Sequence, residues 1–138
     1  MIEINNFTKF SVDKKFVRGV AKNVLRGENR GMENLSIAFI TPLMIKKINK
    51  LYRKKNEPTD ILSFERISNL PKDFNEIVIC PAVLKNNAAK EGVSFKKELT
   101  KMLIHGILHI VGYDHEVSNK AKENIFVKQE YYLYKFKF

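Results

Sequence analysis

The three histidines of this chain are its clearest source of chemistry, and all of them lie in one short segment, at positions 105, 109 and 115. His105 and His109 are four residues apart in an apolar helical pattern, which places both imidazoles on one helix face. Gly112 follows, and a glycine there allows the sharp turn that brings His115 back as a third ligand. Three neutral imidazoles suit Zn²⁺ and leave a fourth tetrahedral position for water or substrate. The segment therefore predicts one Zn²⁺ ion bound by His105, His109 and His115.

The residues between the histidines limit which reaction a metal site in this segment could catalyse. Asp114 is a candidate to orient the ligand rings from outside the metal site. The histidine spacing is shared with the metzincin proteases, in which a glutamate general base follows the first histidine. Here Gly106 occupies that position, and glycine accepts no proton, so peptide hydrolysis is disfavoured. A lone histidine on an apolar face is usually a buried structural residue, but the clustering of all three favours a metal site.

The elements that must position these residues can be read from periodicity and capping signals. The 138 residues, 44% of them hydrophobic, predict a single domain covering residues 1–138. Ser11, Thr41 and Ser94 are candidate N-caps, and Gly92 and Gly112 are candidate helix ends. The predicted elements are a strand at 2–4, helix at 12–25, strand at 35–40, helix at 42–52, strands at 60–64 and 76–80, and helices at 81–91, from 94 to 112 and from 118. This order predicts an α+β fold with one sheet of about four strands covered by about five helices, and a metzincin-like metal-binding helix and turn.

The charge balance favours a polyanionic partner. Lys and Arg number 25 against 15 Asp and Glu, a formal net charge of +10, which points to nucleic acid first. Several cations recur at helical spacing and form either a phosphate-tracking strip or a solvated face: Lys46, Lys47, Lys50, Arg53 and Lys54. Aromatic residues in the segment 131–138 either stack on bases or cover the core.

The cysteine content and the hydrophobic pattern exclude several classes of protein. A single cysteine, Cys80, excludes an intramolecular disulfide framework and zinc sites that need several thiolates. The first residues lack a basic segment followed by an apolar run, and no apolar stretch approaches the roughly 20 residues that span a bilayer. We therefore expect a cytoplasmic protein with no membrane partner.

Three segments resemble the YbeY family, bacterial endoribonucleases of ribosomal RNA maturation. His105–His115 is similar to the family signature H-G-x-L-H-L-x-G-Y-D-H. Asn49–Arg53 with Pro58–Phe64 is similar to the block N-x-x-Y-R followed by P-T-D-V-L-S-F, and Ile77–Pro81 is similar to a third, weaker block. The resemblance spans roughly residues 35–130. It departs from the family pattern at Asn75-Glu76, where Gly-Asp is usual, and at Glu65, where proline is usual.

This resemblance implies a function and a site. The implied activity is a single-strand-specific, zinc-dependent endoribonuclease that acts in 16S rRNA 3′-end maturation and ribosome quality control. Arg53 corresponds to the family's arginine needed for RNA cleavage, and its rigid guanidinium fork matches a phosphate. Arg53 and His105 are thus the predicted catalytic residues. The implied partners are ribosomal RNA, the small ribosomal subunit with its proteins, and an Era-like GTPase.

Several alternatives stay open from the residues themselves. The metal either takes part in cleavage or only holds the C-terminal helices in place, since no strong general base is evident beside it. The chain could instead bind RNA without cutting it, or be a metallohydrolase on another substrate. Thr59 and Asp60 either order the loop near the metal or cap the turn before a strand. Ser63 is interpreted as structural, and Cys80 as a small buried thiol.

Overall fold

The structure is a computed structural model that describes residues 1–66, 73–113 and 119–138. In chain order its elements are β1 (Ile2–Asn6), α1 (Lys14–Gly27), β2 (Leu35–Phe39), α2 (Pro42–Arg53), β3 (Ile61–Phe64), β4 (Asn75–Ile79), α3 (Pro81–Glu91), α4 (Phe95–Ile110) and α5 (Asn119–Leu133). The predicted α+β class with one four-stranded sheet and five helices is confirmed. Within the described ranges, no helix combines the length and apolar character needed to cross a membrane.

The sheet has the strand order β1-β2-β4-β3. The first three strands in that order are parallel, and β3 runs antiparallel to β4 at one edge. Ile4, Ile37 and Ile77 are in register across the parallel strands and belong to the main core, which lies between the sheet, α1 and α4. On the opposite face, a smaller cluster joins Ile45 of α2 to Leu62 of β3. Strand β3 therefore separates a face covered by α4 from a face covered by α2.

Helix α4, which carries the histidine pair, is the central helix of the fold. It packs against α1, α3, α5 and β3. Its core-facing residues are buried: Leu103, Ile104, Ile107 and Leu108. His105 and His109 lie on its half-buried face. A helix enclosed on so many sides has little freedom to move, so the histidine pair stands on a rigid support.

Most of the predicted helix ends are confirmed. The side chains of Thr41 and Ser94 accept hydrogen bonds from the backbone of the first turns of α2 and α4, and Gly92 ends α3 with a φ of 68°. The predicted N-cap residue of α1, and with it the predicted start of the helix, was wrong. Asp13, not Ser11, accepts the N–H of Phe16 at 3.0 Å, and the helix begins at Lys14. A carboxylate is also favoured by the positive end of the helix dipole.

The C-terminal segment contributes only some of its side chains to the core. Tyr132 and Leu133 are buried in the main core, and Phe136 packs against it. Tyr131 and Tyr134 are exposed. Covering the core therefore accounts for only part of this segment.

Gly106 allows α4 to lie directly on β3. A Cβ atom at this position would be 2.9 Å from Ile61 Cδ1 and 2.9 Å from Ser63 Oγ. Such distances are closer than real Cβ atoms approach their neighbours. The sequence indicated only that Gly106 removes the protease base. The structure adds that any side chain at this position would meet the sheet.

We expect Gly106→Ala to stabilise the protein less than its gain in helix propensity alone would give, because the ends of the Ile61 and Ser63 side chains must shift to admit the added methyl group. The matched control is Gly19→Ala in α1, where nothing lies within 4 Å of the added methyl group. That change should stabilise the protein by about 0.5–1 kcal/mol. Urea unfolding of both variants measures the difference. Equal stabilisation by the two substitutions would contradict the close contact with β3.

Candidate active site

Arg53 and the histidine pair line the same cavity, although they come from different parts of the chain. The cavity has a volume of about 250 Å³ and lies between α4, β3 and the end of α2. Its lining consists of Arg53, Thr59, Asp60, Ile61, Ser63, Met102, His105 and His109. We call it the histidine cavity. Met102, His105 and His109 follow the i, i+3, i+7 spacing of one helix face, which explains why α4 presents all three to it.

The two imidazoles converge in a way that suits a single metal ion. The Nε2 atoms of His105 and His109 are 3.0 Å apart. Two nitrogen ligands of a tetrahedral zinc ion, each about 2.0–2.1 Å from it, are about 3.3 Å from one another. The observed separation is close to this value. The donor set and its spacing therefore fit zinc at the two positions that the structure describes.

Gln129 of α5 orients the first of these rings. The Nδ1 atom of His105 donates a hydrogen bond to Gln129 Oε1 at 2.9 Å. With the proton on Nδ1, the lone pair of a neutral ring is on Nε2, the atom that faces His109. No sequence pattern pointed to Gln129, because the contact depends on how α5 packs against α4. It performs on His105 the orienting role that was predicted for Asp114.

We expect Gln129→Ala to weaken zinc affinity about 10- to 100-fold, the usual cost of losing a partner that orients a ligand. Gln129→Glu keeps an acceptor at the same place and should retain most of the affinity. The exposed neighbour Glu130 provides a control, Glu130→Ala, with unchanged affinity. Competition with a zinc-binding dye measures all three. If Gln129→Glu loses as much zinc affinity as Gln129→Ala, the hydrogen-bond acceptor at this position is not what supports zinc binding.

The predicted third ligand, His115, and the predicted orienting residue, Asp114, lie outside the described residues. Among the residues that the structure does describe, no group of three His, Cys, Asp or Glu side chains could hold a metal. The described part of the turn has the predicted form: Gly112 has a φ of 109°, and the N–H of Tyr113 bonds to the carbonyl of Leu108 at 3.0 Å. The three-histidine site stays a prediction.

Arg53 is held at the cavity by the way α2 ends. The helix terminates at Lys54, which adopts a left-handed φ of 58°. Asn49, buried within α2, donates from Nδ2 to the carbonyl of Glu57 at 2.9 Å. This bond ties the segment after the helix back to the helix body. Arg53 is thus an exposed cation on an anchored helix end, where positive charge is favoured by the dipole.

Asp60 and Thr59 lie both at the start of β3 and at the histidine cavity. Asp60 Oδ1 accepts the N–H of Ile61 at 2.8 Å and the hydroxyl of Thr59 at 3.3 Å. These bonds cap the start of β3, as the turn interpretation predicts. Both residues also line the histidine cavity, as does Ser63, which the sequence suggested to be structural only.

Helix α5, which carries Gln129, is held to the end of α1 by the carboxylate of Glu28. Glu28 accepts hydrogen bonds from the Tyr132 hydroxyl and, at 3.3 Å, from Lys128. Burial alone would raise the pKa of Glu28, but the hydrogen bonds from Tyr132 and Tyr113 and the charge of Lys128 outweigh it and lower the pKa below its ordinary value. Glu28 is therefore anionic at neutral pH and anchors α5.

A carboxylate whose pKa is lowered by folding stabilises the folded state above its unfolded pKa. That contribution is lost as the pH falls through the folded pKa. We expect Glu28→Gln to destabilise the protein at neutral pH by about 1.5–3 kcal/mol, the range for hydrogen bonds to charged groups. The difference from the parent protein should shrink in acid. Thermal unfolding across pH tests this, with Glu91→Gln, half-exposed beside Lys101, as the control with little effect. A pH-independent difference would contradict it.

Comparison with known proteins places the chain in a family. The model of the family described as Endoribonuclease YbeY matches residues 3–137. The chain is 35% identical over 136 residues to Endoribonuclease YbeY of Bdellovibrio bacteriovorus, covering 92% of this chain and 89% of the relative. It is 36% identical to that of Persephonella marina, covering 87% and 81%. A Thermotoga maritima protein of known solution structure shares the fold with a TM-score of 0.70 at 31% identity, covering 96% of this chain and 87% of that one. The chain belongs to the endoribonuclease YbeY family.

Proposed function

We propose that this chain is a single-strand-specific endoribonuclease with a three-histidine zinc site and Arg53 at the scissile phosphate. The observation that carries the proposal is the placement of Arg53, His105 and His109 around one cavity. Membership of a family of endoribonucleases supports RNA as the substrate. The net charge of +10 supports a polyanion.

The residues have distinct roles in this proposal. Arg53 binds the scissile phosphodiester through two parallel N–H donors and stabilises the charge that grows on its oxygens. His105, His109 and His115 would hold Zn²⁺, which when bound supplies a Lewis acid and lowers the pKa of water. Gln129 keeps the proton of His105 on Nδ1. Asp114 would support the third ligand.

The bond that breaks is a phosphodiester P–O bond, and the attacking oxygen comes from water or from the 2′-hydroxyl of the RNA. The two reactions leave different ends. Attack by the 2′-hydroxyl leaves a cyclic phosphate, whereas hydrolysis does not. Mass spectrometry of the cleaved fragments therefore identifies the nucleophile.

We further propose a role in maturation of the 3′ end of 16S rRNA and in ribosome quality control. The proposed partners are ribosomal RNA, proteins of the small ribosomal subunit and an Era-like GTPase, and the proposed compartment is the cytoplasm. The lysines on α2 and at its end support contact with a long phosphate backbone, because Lys47, Lys50 and Lys54 are exposed in the same segment as Arg53. Purified small subunits with unprocessed 16S rRNA are the substrate on which this finer role is tested.

The activity itself is tested with nuclease-free protein and matched single-stranded and duplex RNAs. We expect cleavage of the single strand alone, loss of cleavage on chelation, and recovery on adding zinc. The second candidate function is an RNA-binding assembly factor with a structural metal. Salt-dependent binding of the same RNA without any cutting would favour it over the nuclease.

A further inference from the structure

A second and larger cavity lies on the opposite face of β3 from the histidine cavity. It has a volume of about 990 Å³, and we call it the α2 groove. Its apolar lining comes from α2, β3, β4 and the residue before β4: Ile48, Leu51, Tyr52, Phe64, Phe74 and Val78. Successive residues of a strand point to opposite faces, so Ile61 and Ser63 meet α4 while Leu62 and Phe64 lie on the α2 side. The two cavities are therefore divided by a single strand.

The dividing strand is at the edge of the sheet, and the cavities meet around it. Ser63 lines both of them. Tyr52 lines the α2 groove and the next residue, Arg53, lines the histidine cavity. Consecutive residues of α2 thus line the two cavities, and an RNA segment that crosses the edge of the sheet at β3 would reach both. Neighbouring nucleotides could thus contact Tyr52 and Arg53 at once.

Tyr52 has the properties of a stacking platform. Its side chain is 65% exposed, and its ring centroid lies 5.2 Å from that of Phe64 at an interplanar angle of 60°. An exposed ring supported from behind by a second ring keeps its orientation when a flat ligand stacks on it. Aromatic side chains of this kind bind the unstacked bases of single-stranded RNA.

The charges around the α2 groove select a base over a phosphate. Glu65, Asp73 and Glu76 line it with carboxylates, which repel phosphate and accept hydrogen bonds from base amino groups. They outnumber Arg66, the cation in its described lining, whose Nε lies 3.6 Å from a carboxylate oxygen of Glu33. The exposed lysines Lys47, Lys50 and Lys54 lie on α2 and at its end, where they attract the backbone. Phosphate is therefore favoured at Arg53 and a neutral aromatic ring in the groove.

We propose that the α2 groove binds one unpaired nucleobase of the RNA, stacked on Tyr52, next to the nucleotide whose phosphate Arg53 holds. This inference rests on the proposed function, since it places the base relative to the scissile phosphate. It makes Tyr52 a substrate-binding residue and gives a structural reason for selecting single strands, whose bases are free to leave the stack.

The test uses single-stranded RNA oligomers in which 2-aminopurine replaces one base at successive positions along the oligomer. Stacking quenches this fluorophore, and the chain contains no tryptophan to interfere with its signal. Binding is measured in a His105→Ala background, which keeps both Tyr52 and Arg53 but removes the proposed cleavage. We expect strong quenching at one position. Tyr52→Ala should abolish it and weaken binding about tenfold or more, while Tyr52→Phe retains both.

Tyr134→Ala is the matched control, because this tyrosine is 92% exposed and lines neither cavity. It should leave quenching unchanged. Quenching that survives in the Tyr52→Ala protein overturns the base site. The base site is also overturned if Tyr52→Ala changes only self-association or protein binding and leaves RNA binding unchanged. Cleavage is followed separately in proteins that keep His105, so the outcome is separable from that of the proposed function. Arg53-dependent cleavage without Tyr52-dependent quenching removes the base site alone, and Tyr52-dependent quenching without cleavage by the protein that keeps His105 removes the nuclease alone.

Discussion

Arg53→Ala is expected to slow cleavage of single-stranded RNA about 100- to 1,000-fold, the cost of removing one preorganised donor from a developing charge. The reason is geometric as well as electrostatic. Arg53 is the cation from α2 that lines the histidine cavity, and its fork binds two phosphate oxygens at once. Zinc content should be unchanged, because Arg53 is not among the proposed ligands. Initial rates at saturating RNA, with zinc measured on the same sample, give the result.

Two further variants separate the effect of the bidentate guanidinium geometry of Arg53 from the effect of its positive charge. Arg53→Lys keeps a positive charge and loses the bidentate geometry, so its rate should fall between those of the parent and the alanine variant. Lys50→Ala removes a neighbouring exposed cation of the same helix that does not line the cavity. It should weaken RNA binding and its salt dependence slightly and leave the rate at saturation unchanged. An equal loss of cleavage rate in Lys50→Ala and Arg53→Ala would show that Arg53 acts only as one of several cations that bind RNA.

His109→Ala is expected to abolish stoichiometric zinc binding and to slow cleavage by more than about 100-fold, because loss of a ligand should exceed the 10- to 100-fold cost of losing a ligand's partner. Its Nε2 lies 3.0 Å from that of His105, and the two atoms form the histidine pair that the structure describes. Zinc added to the parent protein should raise its Tm, since a ligand of the folded state alone stabilises it. The His109→Ala protein should show no such rise.

Met102→Leu is the matched control for this experiment. Met102 lies on the same face of α4 and lines the same cavity without offering a zinc ligand of the histidine type. The exchange conserves volume and should cost less than about 1.5 kcal/mol. It should bind zinc and cut RNA like the parent protein. A zinc-dependent rise in Tm that persists in His109→Ala would show that the metal is held elsewhere.

The histidine pair was predictable because its geometry is local. Four residues along a helix always place two side chains on one face, and the apolar residues around His105 and His109 indicated a helix. The caps at Thr41 and Ser94 were readable for the same reason. Ser11 and Asp13 are both favoured N-cap residues, so the local sequence did not decide between them. Asp13 is the cap in the structure, because the choice depends on where the chain meets the core.

Contacts between distant segments could not be read from the residues alone. Arg53 precedes the histidines by some fifty positions, and only family resemblance suggested that they work together; the edge position of β3 is what brings the end of α2 to α4. Gln129 reaches His105 through helix packing, which no spacing rule predicts. The close approach of Gly106 to Ile61 and Ser63 is a property of two elements, α4 and β3, rather than of one.

The most direct test of zinc-dependent cleavage is a zinc titration of chelator-treated protein in which bound zinc and RNA cleavage are measured on the same preparation. We predict that cleavage rises with zinc and saturates at one ion per chain, and that the Arg53→Ala protein takes up the same zinc without recovering cleavage. Full cleavage before any zinc is added, or saturation with zinc that leaves the rate unchanged, would contradict a catalytic zinc site beside Arg53.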